Sequence, residues 1–398
     1  MARVTEASRT LGTHVFAAVG GGAALALAMG VGRFSYTPII PLMKDALHLS
    51  TGFASLLASA NYLGYFLGAI ISRQESLAKN RTNLAIAALI ASTLTTGAMA
   101  LTTNENIWLA LRLVSGIASA IAFVYSAGII LDRAAQLGKP SWNGIFFSGV
   151  GSGIALTALV MMLTSANPDW RLSWMYMTAL SVILLVPALI ALQSGNNGLA
   201  APSVPTIGSK RLKPLTIALN GAFLAEGIGY IIPATFIVLF LAKTPGLQQF
   251  SNLAWLIVGV AAIPSIAIWN RICTRRNRFA VISFAMIIQG LGVLAPVLAP
   301  NILDVVFAAV TLGGTFVAIS SMVFVAGREL EPGNVGIVAV LTAAFSVGQI
   351  SGPLFVAQIL SHGGRYNDAL WFATIVLLLG GIAVTIVDRA TRKKGLLR

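Results

Sequence analysis

Long apolar stretches separated by short polar connections run along the whole chain. Crossing the roughly 30 Å hydrocarbon core of a bilayer takes about 20 apolar residues as a helix. Lipid cannot form hydrogen bonds with backbone polar groups. A segment that crosses the bilayer outside a closed β-barrel must therefore be a helix, which satisfies these groups internally. The pattern therefore predicts an all-α membrane protein of twelve transmembrane helices, near residues 14–43, 51–72, 83–103, 107–131, 143–164, 172–193, 214–242, 252–271, 279–299, 302–326, 335–359 and 369–388.

Composition excludes a soluble fold of this size. The 398 residues are 57% hydrophobic and 10% charged, with a mean hydropathy of +0.86, whereas soluble domains carry about 25% charged residues. The net charge of +14 does not indicate nucleic-acid binding, because the basic residues form short clusters between apolar runs rather than one basic face. The first apolar stretch is too long for a cleavable signal peptide, whose apolar core spans about 7–15 residues.

Basic residues alternate between the two sides of the predicted bundle. One set of connections, together with both termini, holds 20 of the 26 Lys and Arg residues. Cytoplasmic connections of membrane proteins are enriched in these residues, so we expect both termini in the cytoplasm and the chain in a bacterial inner membrane. The other side holds only four basic residues, Lys44, Arg171, Lys243 and Arg365.

The chain also contains an internal repeat. The string GVGRFSYTP from Gly30 matches GIGYIIPAT from Gly227 at an offset of 197, and four further matches follow at 197 to 199. An even number of helices per repeat gives both copies the same orientation, related by an axis along the membrane normal. We predict two six-helix bundles with pseudo-twofold symmetry, at residues 1–193 and 214–398, joined by a cytoplasmic linker at 194–213.

These features resemble the major facilitator superfamily (MFS). The fourth predicted helix carries an Arg followed four residues later by a Gly and then small residues, from Arg112 to Ala120. Four strings are similar to the YbfB/YjiJ type of MFS transporter: GVGRFSYTPIIPLM (30–43), LASANYLGYFLGA (57–69), EGIGYIIPATF (226–236) and FSVGQISGP (345–353). The resemblance implies the MFS fold, alternating access, a small-molecule substrate and a monomer without a cofactor. The fifth helix lacks the proline of the MFS drug/proton antiporter motif.

Three charged residues lie well inside predicted spans, away from the span ends, where a charge costs about 2.5–3.5 kcal/mol and must face protein or water. Arg33 is a candidate anchor for an anionic substrate; the alternatives are snorkelling or bonds to backbone carbonyls. Arg112 is either a snorkelling residue or, as the resemblance implies, a residue that acts in proton coupling or in the electrostatics of the cavity. Glu226 is a candidate proton carrier because burial favours the neutral acid; the alternatives are an ion pair with an Arg and contact with substrate.

Neutral polar side chains inside the spans form the rest of the candidate substrate site. The alternative for each is a helix–helix hydrogen bond. The candidates are Tyr36, Asn61, Tyr65, Tyr125, Tyr230 and Gln349. The three His residues and the single Cys273 show no ligand spacing, so no metal site is expected, and no phosphate-binding Gly-Lys-Ser/Thr loop occurs.

We therefore expect a secondary transporter and not an enzyme, moving a small organic anion by coupling to protons, with membrane lipid as its surroundings. Two alternatives stay open from the sequence. One is a multidrug exporter, and the other is a non-transporting sensor or scaffold on the same fold.

Overall fold

The computed structural model describes residues 17–139, 142–193, 214–331 and 336–393. Within these ranges the chain is helical without strands, and twelve helices are long and apolar enough to span a membrane. The predicted linker at 194–213 lies outside the described residues. The helices are α1 Ala17–Leu47, α2 Thr51–Ile71, α3 Arg81–Leu101, α4 Glu105–Gln136, α5 Trp142–Leu163, α6 Trp170–Gln193, α7 Pro214–Ala242, α8 Gln248–Cys273, α9 Arg278–Leu298, α10 Ile302–Leu330, α11 Ile337–Ser361 and α12 Tyr366–Ala390.

Each predicted span is confirmed to within a few residues, with one difference inside α1. This helix widens into a π-helical turn at Ala26–Val31 and resumes as an α-helix at Tyr36–Leu47. The glycines at 30 and 32 let neighbouring helices approach the break, because an added side-chain carbon on Gly30 would clash with the Cα of Gly153 and one on Gly32 with the Ser92 hydroxyl. Pro38 follows in the first turn of the resumed helix, where its missing N–H leaves no intrahelical bond unmade. The break places Arg33 at the centre of the span.

The helices pack in matching pairs within an N-terminal half (α1–α6) and a C-terminal half (α7–α12). Helix α1 packs on α5 as α7 packs on α11, and α2 packs on α4 as α8 packs on α10. Between the halves, α2 contacts α11 and α5 contacts α8, while α1 contacts α7 at the centre. Helices α1 and α7 are accordingly the most buried spans. This arrangement agrees with a twofold relation between two six-helix repeats.

Side-chain contacts repeat at the same offset of 197 residues. Asn104 caps the start of α4 by accepting two backbone N–H bonds, and Asn301 caps α10 in the same way. Arg81 of α3 pairs with Asp132 of α4 at 2.7 Å. In the other half, Arg278 pairs with Glu329 at 3.0 Å, joining α9 to α10. Both ion pairs lie at the same end of the bundle.

We call that end the basic face; among the described residues it carries the connections at 72–80 and 274–277, residues 137–139, and the ends of α6 at Gln193 and of α10 at Leu330. The opposite face carries the short connections at 48–50, 102–104, 164–169, 243–247, 299–301 and 362–365.

Small residues mostly let helices approach within one half. A side-chain carbon on Gly153 of α5 would lie 2.7 Å from the Cα of Gly30 in α1. One on Gly348 of α11 would lie 3.0 Å from the carbonyl carbon of Gly227 in α7. The glycine pairs 149/153 of α5 and 348/352 of α11 are therefore packing positions inside each half. Across the halves the close contact is at Gly151, where an added carbon would lie 2.6 Å from the carbonyl oxygen of Gly259 in α8.

Candidate functional site

Arg33 occupies the middle of the molecule. At about 1.5 Å per residue it lies about 21 Å from one end of α1 and about 24 Å from the other. Its side chain is only 2% exposed, as expected for an intramembrane charge. Aromatic rings surround the guanidinium carbon, with Tyr65 at 4.3 Å, Tyr62 at 4.8 Å and Phe34 at 5.5 Å to the ring centroids. Such rings stabilise a desolvated cation by about 2 kcal/mol or more.

The guanidinium of Arg33 has no anionic neighbour in the described part of the chain. None of the ion pairs formed by described residues includes it. Its Nε and Nη2 atoms are buried without a hydrogen-bond partner among those residues. Buried donors are nearly always paired, so these N–H groups are available to an anion.

Aromatic side chains link Arg33 to the C-terminal half. The ring of Phe34 meets Trp255 of α8 edge-on at 6.1 Å and Phe316 of α10 edge-on at 6.3 Å. Tyr230 of α7 stacks on Phe316 at 5.4 Å. A hydrogen bond from the Gln349 side chain to the Tyr230 hydroxyl ties α11 to this stack. Tyr230 and Gln349 therefore lie together, one aromatic layer away from Phe34.

Arg33 and Tyr230 are also equivalent positions of the repeat, separated by the offset of 197. Each half thus contributes one polar residue from the same place on its central helix.

Arg112 does not snorkel, because its side chain is 2% exposed and turned toward the break in α1. Its Nη1 and Nη2 atoms lie 3.5 and 3.4 Å from the carbonyl oxygens of Gly32 and Arg33. Ser115, one turn along α4, donates to the Gly32 carbonyl at 2.9 Å. A helix break inside a membrane frees carbonyls that neighbouring side chains must satisfy. Arg112 and Ser115 therefore hold the backbone that carries Arg33.

Three of the predicted polar residues form bonds between helices. The Tyr36 hydroxyl donates to the Ala54 carbonyl at 2.8 Å, and its ring lies 4.8 Å from the Arg112 guanidinium. Asn61 donates to the Arg112 carbonyl at 3.1 Å. Tyr125 lies toward the basic face, where its hydroxyl is 3.3 Å from the Ser72 carbonyl. Among the neutral polar residues predicted to bind substrate, Tyr65 is the one whose ring contacts the Arg33 guanidinium.

Glu226 lies inside the C-terminal half and is completely buried. Its Oε1 accepts a hydrogen bond from Gln289 of α9 at 3.1 Å, and Gln289 accepts one from Thr315 of α10 at 2.7 Å. Its Oε2 has no partner among the described residues. The alternative of an ion pair with an arginine is wrong for the described chain, since no cation contacts this carboxyl.

Polar contacts between the halves lie in the part of the bundle nearer the opposite face. The Thr37 hydroxyl donates to the Ala234 carbonyl at 2.7 Å, and Tyr62 shares a hydrogen bond of 2.8 Å with Thr235. Ser59 donates to the Ile350 carbonyl at 2.9 Å. At the rim, Lys243 of α7 pairs with Asp45 of α1 at 2.6 Å. These bonds hold the two halves together on that side.

The twelve helices that could span a membrane agree with a family match. A family model described as "Uncharacterised MFS-type transporter YbfB" matches residues 25–385. The chain belongs to this MFS transporter family. The family implies that this transporter acts on a small-molecule substrate and is a multi-pass membrane protein.

Relatives and solved structures agree with the assignment. The transporter is 22% identical over 382 residues to "Uncharacterized MFS-type transporter YceJ" of Bacillus subtilis (strain 168), covering 93% of this chain and 96% of the relative. An uncharacterised MFS-type transporter of Yersinia pestis (strain Pestoides F) is 20% identical, covering 89% and 90%. A mutant of the nucleoside transporter NupG superimposes with a TM-score of 0.71 at 14% identity, covering 94% and 99%. Unmutated NupG gives 0.67. At this identity the NupG likeness shows the fold.

Proposed function

We propose that the protein is a secondary active transporter that moves a small organic anion across the bacterial inner membrane, driven by protons. It works as a monomer by alternating access, with both termini in the cytoplasm. The observation that carries the proposal is the buried Arg33 guanidinium, which lies at mid-membrane without a carboxylate neighbour in the described ranges.

The buried charge of Arg33 needs a counter-charge. A cation at the centre of a span costs about 2.5–3.5 kcal/mol, and the aromatic rings beside Arg33 offset only part of that cost. An anionic substrate would supply the missing partner and bind where both halves meet. A cationic drug would be repelled, which disfavours the multidrug alternative. An uncharged substrate, such as the nucleosides of NupG, would leave the charge of Arg33 unused.

Glu226 supports the coupling to protons. A buried carboxyl without a cationic partner is stable when it carries a proton and unstable when it loses one. Glu226 lies one helical turn from Tyr230 on α7, so a change of charge at Glu226 acts on the helix that faces Phe316 and the Arg33 layer. We assign proton binding to the C-terminal half and anion binding to the N-terminal half.

Alternating access requires the halves to separate on one side at a time. The hydrogen bonds of Thr37, Ser59 and Tyr62 to the C-terminal half close the side of the opposite face. Small-residue contacts such as Gly151 against α8 lie nearer mid-membrane, where a rocking motion needs the least displacement. The substrate would then enter or leave on the side that these bonds do not close.

Transport in proteoliposomes tests the proposal. The purified protein is assayed for uptake of radiolabelled benzoate, lactate and succinate under an imposed inward proton gradient, with and without a protonophore. We expect proton-dependent uptake of at least one anion, reduced at least tenfold by Arg33→Ala. The matched control is Arg328→Ala, which removes an exposed arginine at the end of α10. Wild-type uptake by the Arg33→Ala protein would refute the anchoring role, and uptake of none of the three anions would count against an anion transporter.

A further inference from the structure

The two nitrogens of Arg33 that lack a hydrogen-bond partner among the described residues lie on one edge of its guanidinium group. Nε and Nη2 are the two nitrogens without a partner in the described residues. Their N–H bonds on that edge are nearly parallel and match the two oxygens of a carboxylate, which then binds side-on through two hydrogen bonds. The site is therefore built for a planar anion with two adjacent oxygens.

Only one positive charge is available at this depth in the described chain. The neighbouring guanidinium of Arg112 already contacts the carbonyl oxygens of Gly32, Arg33 and Leu57. A second carboxylate on the ligand would lose its hydration without a cation to replace it, which costs several kcal/mol. A single negative charge on the ligand fits this arrangement.

The surroundings of this edge are aromatic. Tyr62 and Tyr65 contact the guanidinium itself, and Phe34 connects it to the rings of Trp255 and Phe316. The indole Nε1 of Trp255 is a second buried donor without a described partner. Aromatic walls with a few fixed donors favour a flat apolar ligand body whose oxygens accept hydrogen bonds.

Tyr65 is the partly exposed member of this group. It lies one turn nearer the basic face than Tyr62 on α2.

We propose that the substrate class is an aromatic monocarboxylate. Its carboxylate is held side-on by Nε and Nη2 of Arg33. Its ring enters between Phe34 of the N-terminal half and Trp255 and Phe316 of the C-terminal half when the halves separate, because these rings pack on one another in the structure. This inference rests on the proposed anion transport and narrows it. It excludes dicarboxylates and phosphate esters, which carry more charge than the site compensates.

Calorimetric binding to the full-length protein in nanodiscs tests the inference. The probes are benzoate, cinnamate and indole-3-acetate, each compared with its amide, together with acetate, phthalate, succinate and the uncharged nucleoside uridine. We expect at least one aromatic monocarboxylate to bind at least tenfold more tightly than its amide, and benzoate to bind more tightly than acetate or phthalate. The amides retain the ring and remove the charge, while phthalate adds a second carboxylate.

Two variants examine the geometry. Arg33→Lys keeps the charge and removes the two-pronged edge, and we expect at least tenfold weaker binding of the aromatic monocarboxylate, with acetate weakened by a similar factor because it binds through the same carboxylate group. Trp255→Phe keeps an aromatic ring and removes the N–H, and we expect weaker binding by about threefold to tenfold, the effect of one hydrogen bond. Arg328→Lys is the matched control, and circular dichroism with size-exclusion chromatography verifies folding of each protein.

The outcomes separate this inference from the proposed function. Binding of phthalate or succinate that depends on Arg33, with no binding of the monocarboxylates, overturns the substrate class and leaves anion transport standing. Binding of uridine that is unaffected by Arg33→Lys overturns both. Equal affinity of wild type and Arg33→Lys for the monocarboxylates overturns the side-on geometry, and absence of binding by all three monocarboxylates overturns the inference itself.

Discussion

The hydrogen bond between Tyr62 and Thr235 gives the sharpest test of how the two halves close. It spans 2.8 Å from α2 to α7 and is buried. Tyr62→Phe removes the hydroxyl and keeps the ring that contacts Arg33. The change therefore weakens closure at the opposite face without removing an aromatic wall of the site.

The size of the change in the open population depends on how the Thr235 hydroxyl is satisfied in the closed and in the open conformation once the Tyr62 hydroxyl is removed. In the closed conformation Thr235 loses its partner, which costs about 1–3 kcal/mol. A threonine in a helix can donate instead to a carbonyl one turn back, so we take the lower part of that range, about 1–1.5 kcal/mol. In the open conformation water replaces the missing bond. The open population should therefore rise about fivefold to tenfold.

Cysteine alkylation measures this population, because its rate is proportional to the open fraction even when that fraction is small. The labelled position is Ile40→Cys in a Cys273→Ser background, which removes the natural cysteine. Ile40 is completely buried and lies one turn from Thr37, on the side of α1 that bonds to α7. A membrane-impermeant maleimide is applied from the opposite face.

We expect alkylation in the Tyr62→Phe protein to be about fivefold to tenfold faster than in its parent. The control is Tyr176→Phe, which removes the hydroxyl of a tyrosine that is 39% exposed on α6 and should leave the rate unchanged. An unchanged rate in the Tyr62→Phe protein would refute the reasoning that this bond holds the halves together.

Two further perturbations address coupling and motion. Glu226→Gln keeps an oxygen that can accept the hydrogen bond from Gln289, but the amide cannot bind and release a proton. We therefore expect proton-driven accumulation of substrate to be lost and substrate counterflow to be retained. Unchanged accumulation would exclude Glu226 as the proton site. Gly151→Leu places a side chain against α8, an overpacking that costs about 1–3 kcal/mol, so we expect lower melting temperature and transport. Gly144→Leu, which enters open space on the same helix, should be close to wild type, and equal effects of the two would contradict the contact.

The helices were predictable because bilayer thickness fixes the length of an apolar span. The break in α1 was not predicted, although Gly30, Gly32 and Pro38 were visible in the sequence. Glycine and proline permit a break, but it forms only where other side chains satisfy the freed carbonyls. Here those side chains are Arg112 and Ser115, from a helix far along the chain. For the same reason the sequence left the role of Arg112 open.

The sequence predicted the charged residues of the candidate site but not the aromatic residues that surround them. Arg33 and Glu226 stood out because charge is rare inside apolar spans. Trp255 and Phe316 look like ordinary core residues in a sequence, and only the packing of α1 against the C-terminal half makes them neighbours of Phe34. Tyr62 could have been found, since it lies three residues before Tyr65 and shares its helix face. Gln289, the partner of Glu226, required knowledge of which helices touch.

The equivalence of Arg33 and Tyr230 in the two repeats has a consequence for how the duplicated gene diverged. An arginine at the equivalent position of the second copy, Tyr230→Arg, would stand one turn from Glu226 on the same helix. The two charges would then neutralise each other, and the bundle would keep the Arg33 cation but lose its free acid. Confining the cation to one copy and the acid to the other keeps both reactive, so the two copies have become complementary and can no longer replace each other.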